Sequence, residues 1–65
     1  MRLRLNGKER EVADGSSVED VIQSLGIHRM IVVEQNGAIV NRDRYADTPV
    51  RAGDVLEIVH MVGGG

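Results

Sequence analysis

The residues of this chain that could do chemistry narrow to one place, the closing run His60-Met61-Val62-Gly63-Gly64-Gly65. Glycine has no Cβ, so it takes backbone angles closed to other residues and fits a passage too narrow for a side chain. Three glycines directly after the apolar run Val55-Leu56-Glu57-Ile58-Val59-His60-Met61-Val62 leave the α-carboxylate of Gly65 as the reactive group on a thin, mobile stalk. Such an end is either presented to another protein's active site or merely frayed, as chain ends usually are. The residues upstream have to decide between the two.

Other candidate groups offer less. His28 and His60 are the only histidines, and no nearby residue completes the three or four ligands that a zinc site needs, so no metal is expected. The chain has no cysteine, which excludes disulfides, thiolate metal sites and cysteine nucleophiles. Glu19 and Asp20 fall in the first turn of an expected helix, where acidic residues offset the helix dipole. Asp43 and Asp47 lie in a polar connection with no apolar pocket to raise a pKa. Arg42, Arg44 and Arg51 read as solvated loop charge, with the rim of a docking surface as the alternative. No phosphate-binding loop or nucleophile motif is present.

Size points the same way. At 65 residues the chain makes one domain, and a chain of this length buries only about 60% of its unfolded surface. That leaves little room for a deep pocket with a supported catalytic constellation, so a carrier or binding module is expected rather than an enzyme. The net charge is −2 with both signs interspersed, and without a basic stripe nucleic acid is not the expected partner. No apolar run reaches transmembrane length. The alternating start, Met1-Arg2-Leu3-Arg4-Leu5, lacks the apolar stretch of a signal peptide. The expectation is a cytoplasmic protein without a membrane partner.

The elements that would position the tail can be read in order. Met1, Leu3 and Leu5 alternate with Arg2 and Arg4 as in a half-buried strand. Asn6-Gly7 is a strong hairpin signal, because both central residues of a type I′ turn need positive φ. Residues 8–12 form the return strand, with charge suited to a sheet edge. After the turn Ala13-Asp14-Gly15, Ser16-Ser17-Val18-Glu19 reads as a capping box in which Ser16 caps and Glu19 reaches back. Val18, Val21, Ile22 and Leu25 share one helical face. Gly26 and Ile27 stand where a Schellman motif places its left-handed residue and its apolar contact. Residues 30–34 make an apolar strand, Gln35-Asn36-Gly37 a turn, and Ala38-Ile39-Val40 a short strand. Residues 41–49 are an irregular connection with a turn of helix around 42–45, and Tyr45 closes the core beneath it. Ala52-Gly53-Asp54 launches the last strand.

One helix and one sheet make a two-layer α+β domain over residues 1–62, followed by a glycine tail, 63–65. The helix covers one sheet face and nothing is left to cover the other. Period two puts Val59 and Met61 outward with Glu57, and Val32 and Met30 outward with Glu34. If the two strands are neighbours, Val32, Val59 and Met61 form an exposed apolar patch beside the tail, with Val62 at its root. Such a patch next to a reactive terminus suggests a docking surface.

The whole chain resembles the β-grasp sulfur carriers related to ubiquitin, and within them the thiamine-biosynthesis sulfur carrier (ThiS) family. The resemblance rests on Leu5-Asn6-Gly7-Lys8, on Ile31-Val32-Val33-Glu34 before Asn36-Gly37, on Gly53-Asp54 before Val55-Leu56-Glu57-Ile58-Val59, and on Val62-Gly63-Gly64-Gly65. The family requires two terminal glycines, and here there are three. It implies a ubiquitin-like fold, a mixed β-sheet packed on one α-helix, with a flexible C-terminal glycine tail. It also implies that a ThiF-like adenylating enzyme uses ATP and Mg²⁺ to convert the Gly65 carboxylate to an acyl-adenylate. Sulfur from a cysteine desulfurase would then give a thiocarboxylate that serves thiazole synthase. Gly65 would carry the modification, Gly64 and Gly63 would thread the partner's channel, and Val32, Val59, Met61 and Val62 would meet the partner. The carrier itself would not be an enzyme. Related alternatives are the small subunit of molybdopterin synthase, whose chains usually run longer, and a ubiquitin-like modifier joined through Gly65 to lysines. A binding module with an inert tail is the plainest alternative.

Overall fold

A computed structural model describes residues 1–27 and 30–60. Met61, Val62, Gly63, Gly64 and Gly65 lie outside the described residues, as does His28, so the expectations placed on them have no structural counterpart here.

The first hairpin forms as its sequence requires. β1 (Arg2–Leu5) and β2 (Lys8–Glu11) pair antiparallel, with Leu5 opposite Lys8. Asn6 and Gly7 sit at φ 50° and 82°, in the left-handed region that asparagine and glycine enter most readily. Leu3 and Leu5 are buried, whereas every residue of β2 is exposed.

The helix α1 (Val18–Ser24) has seven residues, too few to hold in isolation. Its packing holds it, with Val18, Val21 and Ile22 buried. The capping box is real but sits one residue later than the expected Ser16/Glu19 pair. Ser17 Oγ accepts from the Asp20 amide at 3.1 Å, and Asp20 Oδ2 accepts from the Ser17 amide at 2.9 Å. Ser16 is occupied elsewhere. Its hydroxyl donates to the Ala13 carbonyl at 2.6 Å, and its carbonyl accepts from the Val50 amide at 3.0 Å. The two leading helical amides, of Val18 and Glu19, donate to the carbonyls of Thr48 and Tyr45 at 2.8 and 3.0 Å. The long connection thus answers donors that a helix start leaves open. At the other end Gly26 has φ 67°. The Gly26 amide meets the Gln23 carbonyl at 3.0 Å and the Ile27 amide the Ile22 carbonyl at 3.4 Å, which is the expected Schellman pattern.

β3 (Ile31–Gln35) and β4 (Ala38–Val40) form the second hairpin, turning at Asn36 and Gly37. A short 3₁₀ turn, Arg42–Arg44, follows, and Tyr45 is buried beneath the connection. β5 (Val55–His60) ends the described chain. The strand order is β2-β1-β5-β3-β4. β5 runs parallel to β1 and antiparallel to β3, so the last strand is the central one. The core of Leu3, Leu5, Val33, Leu56 and Ile58 meets the buried face of α1. This is the expected α+β architecture, a mixed five-stranded ubiquitin-like β-grasp sheet with one helix on one face. Among the described residues no helix is long and apolar enough to cross a membrane.

Candidate functional site

β5 is the element that delivers the tail, and its two ends are held differently. At its start, Asp54 gathers the surrounding turns. Asp54 Oδ2 accepts from Gln35 Nε2 at 2.9 Å and from the Arg51 amide at 2.8 Å, and Oδ1 accepts from Asn36 Nδ2 at 3.1 Å. Asn36 in turn exchanges hydrogen bonds with Val55, through its side-chain oxygen at 2.9 Å and its amide at 2.8 Å. Burial pushes the Asp54 pKa up, but the donors from Arg51, Asn36 and Gln35 and the charge of Arg51 outweigh it. The carboxyl is held below its ordinary value. The middle of the strand is anchored by Leu56 and Ile58, which point into the core.

Further along, Asn6 does the work of a strand. Its Oδ1 accepts from the Ile58 amide at 2.7 Å and its Nδ2 donates to the Ile58 carbonyl at 3.0 Å. This residue was legible as a turn former, but its second role joins positions 52 apart in sequence. Its only sequence signal is the Asn-Gly dipeptide, which the turn already explains.

On the uncovered face, Val59 stands directly opposite Val32, as the neighbouring-strand expectation required. Val59 is 58% exposed, whereas Val32 is only half-buried. Ile39 is also exposed, at 66%. Met30, expected on this face with Val32, precedes β3 and instead lines a concavity beside the helix. Ile39 lies opposite Glu34, which carries the uncovered face onto β4. One step from the valine pair, Glu34 faces Glu57 across the same two strands. Like charges placed directly opposite work against strand pairing, and no ion pair reaches either one among the described residues. The structure therefore groups Val32 and Val59 with two carboxylates. Met61 and Val62, expected in the same set, lie outside the described residues, as do Gly63, Gly64 and Gly65.

The remaining candidates lie elsewhere. Arg42, Glu19 and Tyr45 line a concavity of about 580 Å³ together with Ile22, Ile27, Met30 and Ile31. That concavity lies on the helix side, so Arg42 does not rim the outer patch. Asp43 and Asp47 are exposed. No group of three His, Cys, Asp or Glu side chains suited to a metal ion occurs among the described residues.

Comparisons with known proteins converge. The sequence model of the ThiS family matches residues 3–65. The chain is 37% identical to the sulfur carrier protein ThiS of Bacillus subtilis, over 97% of this chain and 98% of that protein. It is 42% identical, over its full length, to part of a thiazole synthase from Paramagnetospirillum magneticum, and spans only 20% of that protein. Its fold superposes on the crystal structure of a thiamine biosynthesis protein (ThiS) from Geobacter metallireducens with a TM-score of 0.86. That comparison covers all of both chains at 32% identity.

Proposed function

The chain belongs to the ThiS family of sulfur carriers in thiamine biosynthesis, and on that premise we propose that the α-carboxylate of Gly65 is the group that carries the sulfur. A carboxylate is a poor electrophile and has to be activated before sulfur can replace its oxygen. In this reading a ThiF-like enzyme binds ATP and Mg²⁺, and a carboxylate oxygen of Gly65 attacks the α-phosphorus. Pyrophosphate leaves and an acyl-adenylate forms. A persulfide sulfur supplied through a cysteine desulfurase attacks the acyl carbon, and AMP leaves. A thiol then cleaves the S–S bond of the resulting acyl disulfide, which releases the thiocarboxylate. That group is itself a nucleophile and passes its sulfur to thiazole synthase.

The cysteine-free sequence is consistent with this division of labour, since the chain has no side chain on which a persulfide could form. The chain acts as a co-substrate in the cytoplasm, and the nucleotide contacts and acid–base groups belong to its partners. The observation that carries the reading is the placement of β5. The strand that precedes the tail in sequence is the central one, flanked by β1 and β3 and anchored in the core by Leu56 and Ile58. Val32 and Val59 stand opposite each other near its end, and we assign them, with Met61 and Val62, to partner docking. Thiazole synthase as the acceptor is supported by the relative in which a segment matching this whole chain is part of a protein of that name.

Gly63 and Gly64 thread the channel in this scheme, with Gly64 at the point where a Cβ would not fit and Gly63 as flexible spacer. Gly64→Ala is expected to fold normally and to show sharply reduced pyrophosphate exchange with the adenylating enzyme. Normal exchange by that variant would overturn the threading role.

A further inference from the structure

The two edges of β5 are satisfied to different lengths. Odd-numbered residues turn their backbone groups toward β3, as when the Val55 carbonyl accepts from the Asn36 amide at 2.8 Å. Even-numbered residues turn theirs toward β1. The Asp54 carbonyl accepts from the Arg4 amide and the Leu56 carbonyl from the Asn6 amide, each at 2.9 Å. β1 then ends at Leu5, and Ile58 is met by the side chain of Asn6 instead of a strand. His60 is the next residue of that set. It lies opposite Ile31, but by the same alternation its N–H and C=O point away from β3 and exchange no ladder bond there. The β1–β5 pairing stops at Leu5 opposite Leu56, and His60 is exposed. The sheet therefore has a notch, open on one side, at the last described residue before the tail.

We propose that this notch receives an extended backbone segment of the adenylating enzyme, which pairs with β5 at His60 in the place that β1 has vacated. The proposal rests on the functional reading above and deepens it, by naming what on the partner grips the carrier. Three observations favour such an occupant. The open edge belongs to the strand that continues into the tail, so a segment paired there fixes the direction in which the tail leaves. The five residues after His60 span at most about 17 Å when extended, so the grip would lie one short strand's length from the reacting carboxylate. The glycines offer no side chains, and main-chain pairing is the recognition mode that needs none. The outer edge strand β2 makes the contrast. Its exposed Lys8, Glu9, Arg10 and Glu11 discourage strand addition there, while the notch carries no such guard.

The test is amide hydrogen exchange by NMR, on the whole chain alone and with the adenylating enzyme and a non-hydrolysable ATP analogue. The Val59 amide, bonded toward β3, is expected to be protected already in the free chain. The His60 amide is expected to exchange freely when alone and to slow about tenfold or more in the complex, as a newly formed hydrogen bond requires. Binding with the His60 amide unprotected would overturn the proposal. A second readout is His60→Pro, which removes the N–H on the open side, read against His60→Ala, which removes the imidazole and keeps the N–H. The proline variant is expected to raise the carrier's KM in pyrophosphate exchange about tenfold over that of the alanine variant while leaving kcat little changed. If the proline variant folds and its KM matches that of the alanine variant, the proposal fails; if it does not fold, hydrogen exchange decides alone. Absence of pyrophosphate exchange with the unaltered chain would instead overturn the functional reading, and this inference with it.

Discussion

The two ends of β5 share a strand and almost nothing else. Its start is tied by Asp54, Gln35 and Asn36, and Asn6, Leu56 and Ile58 hold its middle. Its far end carries an exposed Val59 and an exposed His60, and the sequence continues through Met61 and Val62 to the glycines. The difference teaches where so small a domain spends its order. The contacts concentrate where the strand begins and in its middle, so substitutions at the far end are expected to leave the fold intact. The same contrast divides the two sheet faces. The helix covers one, while the other holds Val32, Val59 and the unneutralised pair Glu34 and Glu57.

Mutations at the two ends should separate fold from function. Leu56→Ala, at a position with no exposure, is expected to cost about 2–5 kcal/mol, as in other core truncations. A core of this size supplies roughly 3–5 kcal/mol, so urea unfolding should find this variant largely unfolded. Asn6→Gly keeps the positive φ of the turn but removes both hydrogen bonds to Ile58. A loss of about 1–3 kcal/mol is expected from the unpaired backbone groups, and an unchanged urea midpoint would mean that Asn6 is only a turn residue.

Asp54→Asn sharpens the comparison through pH. The Asp54 pKa is depressed, because hydrogen bonds from Arg51, Asn36 and Gln35 and the charge of Arg51 outweigh burial. Its contribution is therefore fully present above the pKa of the unfolded chain and is lost as pH falls through the lower, folded value. The variant should be about 1 kcal/mol less stable near neutrality, and the gap should close in acid. A gap that widened in acid would contradict the assignment. The smallest effect on stability is expected at the open end. Val59→Asp should change stability by about 0.5 kcal/mol or less while raising the carrier's KM with the adenylating enzyme. Collapse of its circular dichroism spectrum would place Val59 in the core rather than on a docking face.

Much of this was legible in the chain because the signals were local. Asn6-Gly7 and Asn36-Gly37 give two hairpin turns with positive φ, and Val18, Val21 and Ile22 give the buried helix face. The register of the cap was not legible. Ser16-Ser17 followed by Glu19-Asp20 offers two capping boxes one residue apart, and the choice is made by distant partners. Val50 takes the Ser16 carbonyl, and Thr48 and Tyr45 receive the first helical amides. The Asn6–Ile58 contact and the Glu34–Glu57 pairing were hidden for the same reason, since both depend on strand order rather than on local pattern. Alternation along β3 and β5 did place Val32 and Val59 together on the outer face. It could not show that Val32 would be half-buried, because that depends on neighbours across the sheet.

The central claim is that Gly65 carries sulfur, and intact-mass spectrometry tests it most directly. The chain would be incubated with ATP, Mg²⁺, the adenylating enzyme, a cysteine desulfurase, cysteine and a thiol. The expected result is a gain of about 16 mass units, one oxygen replaced by sulfur through activation and displacement, localised by fragmentation to Gly65 and absent when Gly65 is deleted. Localisation matters because oxidation of a methionine adds nearly the same mass. An unmodified Gly65 in the presence of an active enzyme pair would contradict the account.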